Sequence, residues 1–211
     1  MRLVGLTGGI ASGKSTFAAA LRAGGAPVLD ADQLARAAVA KGSPGLAAVV
    51  TAFGGDVLGD DGELDRRRMA ARVFADPEAR ARLESIVHPA VRALFREELA
   101  RLEARGAPLA FYDVPLLFEA GLEGEVELVV VVWAPRDVQL ARLMARDRLG
   151  RADAEARLAA QLPLDEKAAR ADVVVVNDGD PGALTRKAAR LLADLRAGLT
   201  RRLPKAPAAR Y

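Results

Sequence analysis

The sequence predicts an α/β protein: a five-stranded parallel sheet flanked by helices. Two observations carry this. Short β-like runs alternate with longer amphipathic helical stretches along the whole chain, which is the pattern of strand-crossover-strand units. The third, fourth and fifth runs, LAFYD, LVVVVW and VVVV, are almost wholly apolar and lack polar alternation. Strands read this way when helices cover both faces of the sheet, because neither face then meets water.

Taken in order, the candidate strands are residues 2–7, 26–30, 108–113, 127–133 and 172–177. Helical periodicity covers 14–23, 31–40, 66–75, 89–105, 136–149, 152–161 and 181–197. Pro89 and Pro181 are each read as opening a helix, since the first turn has no use for the missing N–H. The stretch 42–88 is too long for a simple crossover and is expected to form a small helical insertion. Gly54-Gly55-Asp56 and Gly59-Asp60-Asp61-Gly62 mark turns within it. Residues 1–200 are read as one domain, and 201–211, RRLPKAPAARY, as a disordered basic tail.

Composition excludes several classes. With 211 residues, 51% hydrophobic and 28% charged, the chain is neither disordered nor too small for a core. The absence of cysteine rules out disulfides, zinc-thiolate sites, iron-sulfur clusters and thiol catalysis, and fits a reducing, cytoplasmic setting. No apolar run approaches the ~18 residues of a membrane span, and the N-terminus lacks a signal-peptide core. Thirty-one basic against 28 acidic residues leave a net charge of +3, spread evenly, so neither a nucleic acid nor a membrane is expected as partner. Oligomeric state is not legible. Only five of the basic residues are lysine; the arginine excess suits phosphate recognition, and it also suits a compositional bias of the whole chain.

The most informative segment is Gly8-Gly9-Ile10-Ala11-Ser12-Gly13-Lys14-Ser15, followed by Thr16. It matches Gly-x-x-x-x-Gly-Lys-Ser/Thr and lies between a strand and a helix, the setting that motif requires. Its glycines let backbone amides turn inward around phosphate oxygens, and the following helix N-terminus adds a favourable dipole. Lys14 would neutralise the β- and γ-phosphates and the Ser15 hydroxyl would hold Mg²⁺. The fold class becomes that of the P-loop NTPases, with a triphosphate as donor.

Other residues address the acceptor. Asp30 and Asp32 flank Ala31 at the end of the second strand, where parallel sheets present their ligands. Asp32 is read as the carboxylate that orients and deprotonates a hydroxyl, and Asp30 as the cap of the next helix. Asp113, at the tip of the third strand, suits a water-mediated Mg²⁺ contact, and equally an acceptor contact or a cap. Pro115 to Glu119 offers a short apolar wall ending in an acid. Arg142 and Arg146, four apart on one helix face, read as lid residues over the transferring phosphoryl group, or else as a solvated face. Arg148 and Arg151 lie nearby. His88, the sole histidine, reads as a packing or capping residue or a ligand contact.

Five blocks in order then resemble the dephospho-CoA kinase family: LTGGIASGKS at 6–15, DAD at 30–32, His88-Pro89, DVPLLFE at 113–119, and QLARLMARD at 139–147 continuing through RLAAQLPLDEKAARADVVVVNDG at 157–179. The resemblance implies phosphorylation of the ribose 3′-hydroxyl of dephospho-CoA by Mg-ATP, giving coenzyme A and ADP in the last step of coenzyme A synthesis. It implies a core similar to nucleoside monophosphate kinases, with an acceptor-binding helical insertion near 33–107 and a lid near 139–163. It places Asp32 as base, Arg142 and Arg146 in the lid, and Thr7, His88, Pro115, Leu116, Phe118 and Glu119 with Asp32 toward the acceptor. Asn177 falls near the adenine. One departure is Ala11, where the family usually has glycine; a positive φ there would strain the loop by about 1 kcal/mol.

Overall fold

A computed structural model describes residues 1–199 and 209–210 of the chain. In chain order the elements are β1 (Arg2–Gly8), α1 (Lys14–Ala23), β2 (Val28–Asp30), α2 (Ala31–Ala38), α3 (Pro44–Phe53), α4 (Arg66–Ala75) and α5 (Pro77–Ala104). They continue with β3 (Leu109–Asp113), β4 (Leu128–Trp133), α6 (Arg136–Asp147), α7 (Arg151–Ala159), α8 (Leu164–Arg170), β5 (Val173–Val176), α9 (Pro181–Arg196) and β6 (Ala209–Arg210). The sheet order is β2-β3-β1-β4-β5-β6. Its centre is parallel, with Leu6 opposite Asp113 on one side and Val130 on the other. The predicted five-stranded parallel core is present, and β6 adds two residues in parallel beside β5. The rest of the tail expectation lies outside the described residues.

The chain forms two compact units: residues 1–29 together with those from Arg105 onward, and Asp30–Ala104. The first is the sheet unit. All five residues of β3 are buried, as are the first five of β4 and the first three of β5, as their continuous apolar pattern requires. Phe17, Ala18 and Leu21 of α1 join Leu184, Ala188 and Leu191 of α9 in the same core as Val4, Leu6 and Phe111. Each fully buried Leu, Val or Phe contributes roughly 1.5–3 kcal/mol relative to exposure. Asp180 caps α9 by accepting from the Gly182 N–H at 2.9 Å, with Pro181 at the opening position as expected.

The second unit has its own core of Val39, Val49, Phe53, Val57, Met69 and Ala79, against which Leu83, Ile86 and Val87 pack. Ser43 caps α3 and Asp65 caps α4, each by accepting backbone N–H groups. One expectation is corrected here. Pro89 does not open a helix: the 28-residue α5 begins at Pro77, and Pro89 lies inside it. Asp76 provides the start signal instead, its carboxylate accepting from the N–H groups of Glu78 and Ala79 at 2.9 and 3.1 Å. Pro89 removes one internal hydrogen bond, which a helix this long and this well packed at its N-terminal half tolerates. Two helices, α3 and α8, were not separately legible, because each starts at or just after a proline, Pro44 or Pro163, that reads as a turn.

Candidate active site

Strand β1 delivers the glycine-rich segment to the carboxyl end of the sheet, with Gly8 paired to Val132. A Cβ on Gly8 would stand 2.7 Å from the Ser12 hydroxyl oxygen and 2.8 Å from the Val132 carbonyl, so only glycine fits. The chain then turns back, the Ser12 N–H donating to the Gly9 carbonyl at 3.1 Å, and passes through left-handed conformations at Ala11 (φ 58°) and Gly13 (φ 97°). Gly13 is required twice over. Its φ disfavours any side chain, and the Asn177 amide occupies the space a Cβ would need.

Ala11 takes the strained alternative raised by the sequence. Left-handed backbone costs an alanine about 1 kcal/mol relative to glycine. An offset is visible: the side chains of Ile10 and Ala11 pack against the cluster of Leu140, Leu143, Ala154 and Leu158 between α6 and α7. The phosphate loop is therefore seated on these two helices through its apolar side chains.

Polar contacts hold the loop from behind. The Asn177 side-chain amide donates to the Ser12 carbonyl at 2.8 Å, and the Gln161 side-chain oxygen accepts the Ile10 N–H at 3.0 Å. The Arg142 guanidinium lies 3.5 Å from the other end of the Asn177 amide. Asn177 is buried, so its contacts face little competition from water. Both ends of its side chain are engaged with the loop and with α6.

Lys14 begins α1, and its ammonium sits 2.5 Å from the Asp113 carboxylate, which is only 4% exposed. Asp113 is thus beside the lysine of the glycine-rich segment, at the tip of the strand adjoining β1. Ser15 and Thr16 are exposed on the first turn of α1, where free N–H groups and the helix dipole favour anions. Magnesium keeps water and phosphate oxygens in its shell and takes one or two hard protein oxygens. The Ser15 hydroxyl and the Asp113 carboxylate are donors of that kind.

After β3 the chain forms the wall expected at 115–119, but its side chains diverge. Leu116 is exposed, whereas Leu117 and Phe118 are buried, Phe118 beneath the Arg170 guanidinium at 4.4 Å. The Thr7 hydroxyl donates to the Pro115 carbonyl at 3.1 Å. Glu119 pairs with Lys167 at 2.7 Å and accepts the Leu162 N–H at 3.0 Å. Burial opposes the Glu119 charge, but the Lys167 ammonium and the N–H groups of Glu119 and Leu162 outweigh it, holding the carboxyl below its ordinary range.

On α6, Arg142 and Arg146 share a face but differ in engagement. Arg142 is partly buried at Asn177, and Arg146 is exposed and paired with Asp147 at 2.7 Å. The same Asp147 pairs with Arg157 of α7 at 2.8 Å. Hydrogen bonding to Arg146 depresses the Asp147 carboxyl below the usual carboxylate range.

In the second unit, Asp30 is the cap of α2, accepting from the N–H groups of Asp32 and Gln33 at 2.9 and 3.0 Å. That leaves Asp32 free for other work: it is exposed, and its carboxylate has no partner among the described residues. His88 is exposed on α5.

Sequence reasoning missed Gln161 and Lys167. Both stand in the quoted blocks, yet nothing in composition or spacing marks a glutamine as a loop support, and a lysine reads as surface until a structure buries it.

A glycine-rich loop between strand and helix, at the carboxyl end of a parallel sheet ordered β2-β3-β1-β4-β5, gives the architecture of a P-loop kinase. Similarity narrows the class. The model of the dephospho-CoA kinase family matches residues 2–182, and the chain belongs to that family. It is 69% identical to the dephospho-CoA kinase of Anaeromyxobacter dehalogenans over 211 residues, covering all of both chains. It is 51% identical to that of Geobacter sulfurreducens, over 89% of this chain and 95% of the relative. Among solved structures, the dephospho-CoA kinase of Campylobacter jejuni superposes with a TM-score of 0.73 at 28% identity, covering 94% of this chain and all of that one. A Thermus thermophilus protein does so with a TM-score of 0.78 at 45% identity, covering 92% and 97%.

Proposed function

We propose that this family member, in transferring a phosphoryl group from ATP to the ribose 3′-hydroxyl of dephospho-CoA, divides the work between a donor site at residues 8–16 and an acceptor site that includes Asp32. The observation that carries this reading is Lys14 at the mouth of the phosphate loop, hydrogen-bonded to a buried carboxylate at the adjoining strand tip. Phosphoryl transfer needs little covalent help from the protein, so positioning and charge neutralisation carry the catalysis.

In this proposal Lys14 leaves Asp113 to neutralise the donor phosphates while the amides of the loop and of the first turn of α1 surround them. Mg²⁺, held by Ser15 and through water by Asp113, would supply charge neutralisation at the same phosphates. Asp32 orients the 3′-hydroxyl and accepts its proton. Its exposed, unpartnered carboxylate supports that role, and the cap supplied by Asp30 explains why Asp32 is not needed locally. Arg142 and Arg146 draw charge from the transferring group as part of a lid over 139–163. Asn177, read from the resemblance as lying near the adenine, is assigned a loop-holding role instead, which its contacts with Ser12 and Arg142 support. Thr7, His88, Pro115, Leu116, Phe118 and Glu119 make up the acceptor side, with Thr7, Phe118 and Glu119 acting through the packing of the wall. The insertion near 33–107 is the acceptor-binding element, and the working compartment is the cytoplasm.

The test is ADP release with Mg-ATP and a panel of dephospho-CoA, AMP, CMP, adenosine and no acceptor. Stimulation by dephospho-CoA alone is expected. Stimulation by a nucleotide or nucleoside would move the acceptor site to another class of small-molecule kinase, and acceptor-independent hydrolysis would remove the acceptor site altogether.

A further inference from the structure

Lys167 is a fully buried lysine that phosphoryl transfer as described above does not use. A lysine with no exposed surface is costly unless every donor is engaged, and an apolar residue of similar size would often serve stability as well or better. Its contacts say what it does. The ammonium donates to the Glu119 carboxylate at 2.7 Å and to the Pro115 carbonyl at 3.2 Å, gripping both ends of the loop after β3. The Pro115 carbonyl also accepts the Thr7 hydroxyl, from the strand that leads into the phosphate loop.

The contact continues outward. The Glu119 oxygen that meets Lys167 also accepts the Leu162 N–H at 3.0 Å. The preceding residue, Gln161, accepts the Ile10 N–H of the phosphate loop at 3.0 Å. A second anchor holds the same segment, the Trp133 indole N–H donating to Asp165 at 2.6 Å. Residues 161–167 are thus pinned to the end of β4 and to the loop after β3, and reach the phosphate loop with one side-chain oxygen. All of these residues lie in the sheet unit.

We propose that Lys167 is a positioning residue for ATP: through Glu119 and the Leu162 N–H it sets Gln161, and Gln161 sets the backbone of Ile10. The inference rests on the phosphate loop being the ATP site. It is tested by a cycle of Lys167→Met, Gln161→Met and the double variant in the full chain. The readings are KM and kcat for ATP with saturating dephospho-CoA, and the melting temperature. Each single variant should raise KM for ATP about tenfold, as expected when a binding backbone is displaced, and the double variant should be no worse than the weaker single, since one path is cut twice. Gln161→Met should melt with the wild type.

Multiplying losses in the double variant, about hundredfold, would overturn the proposal by making the two residues independent. An unchanged KM in Lys167→Met, with kcat lowered in step with the folded fraction, would overturn it by making Lys167 merely structural. If Lys167→Met does not fold, Glu119→Gln takes its place in the cycle, and the same two outcomes decide. ADP release in the wild type without any dependence on the phosphate loop, read from Lys14→Ala, would sink the donor-site reading rather than this one.

Discussion

At the scale of single residues, the loop shows how a departure from a motif is accommodated. Ala11 stands in a left-handed conformation, yet its methyl group packs on α6 and α7. The backbone cost of about 1 kcal/mol and the burial of a methyl group, worth about 0.8 kcal/mol, nearly cancel. Ala11→Gly should therefore change stability by less than about 1 kcal/mol in a denaturant titration and keep activity. Ala11→Val, β-branched at the same φ, should cost about 1–3 kcal/mol and weaken ATP binding. For Lys14→Ala the expectation is a severe loss of kcat with an unchanged circular dichroism spectrum; near-normal turnover would remove the lysine from the site. The motif made these residues legible in the sequence. Their supports were not, because Asn177 and Gln161 reach the loop from 165 and 151 residues away and no local pattern encodes such a contact.

At the scale of elements, strands were more legible than helices. A fully buried strand is written as an uninterrupted apolar run, and β3, β4 and β5 were each found within a residue or two of their ends. Helix α5 was read short because Pro89 resembles a start signal, whereas Asp76, the actual cap, sits before a stretch rich in arginine and glutamate with weak apolar periodicity. The arginine helix α6 gives a test of function without stability: Arg142→Ala should lower kcat by about a hundredfold, typical for losing a charge-stabilising group, with an unchanged melting temperature. Unchanged turnover would leave Arg142 a neighbour of Asn177 and nothing more.

The Glu119–Lys167 pair gives a pH dependence. Because folding lowers the Glu119 pKa, the unfolded chain binds its proton more tightly, and the pair's stabilisation is complete above the unfolded value near 4.5. It is lost as pH falls through the depressed folded value. Melting temperatures measured from pH 6 downward should drop more steeply for the wild type than for Glu119→Gln; parallel curves would show that the pair does not contribute.

At the scale of the molecule, the order of the sheet explains the insertion. Adjacent parallel strands β2 and β3 need a crossover, and here the crossover is the entire second unit with its own core. The proposed donor and acceptor residues are thereby encoded in different units, the phosphate loop in the first and Asp32 in the second. Asp32→Asn should leave ATP affinity within about twofold of wild type in a binding titration while kcat falls by a factor on the order of 10² to 10⁴, the range for a general base. An equal loss of ATP affinity would return Asp32 to a structural or metal-binding role.

Trp133 is the only tryptophan in the chain, and its indole N–H is bonded to Asp165 in the segment that reaches the phosphate loop. The protein therefore carries a native fluorophore at the end of β4, bonded to the segment whose Gln161 reaches the phosphate loop. With no other indole to mask it, emission from this one side chain should shift on adding ATP if the nucleotide seats on the phosphate loop, and an unchanged spectrum would show that the segment does not respond.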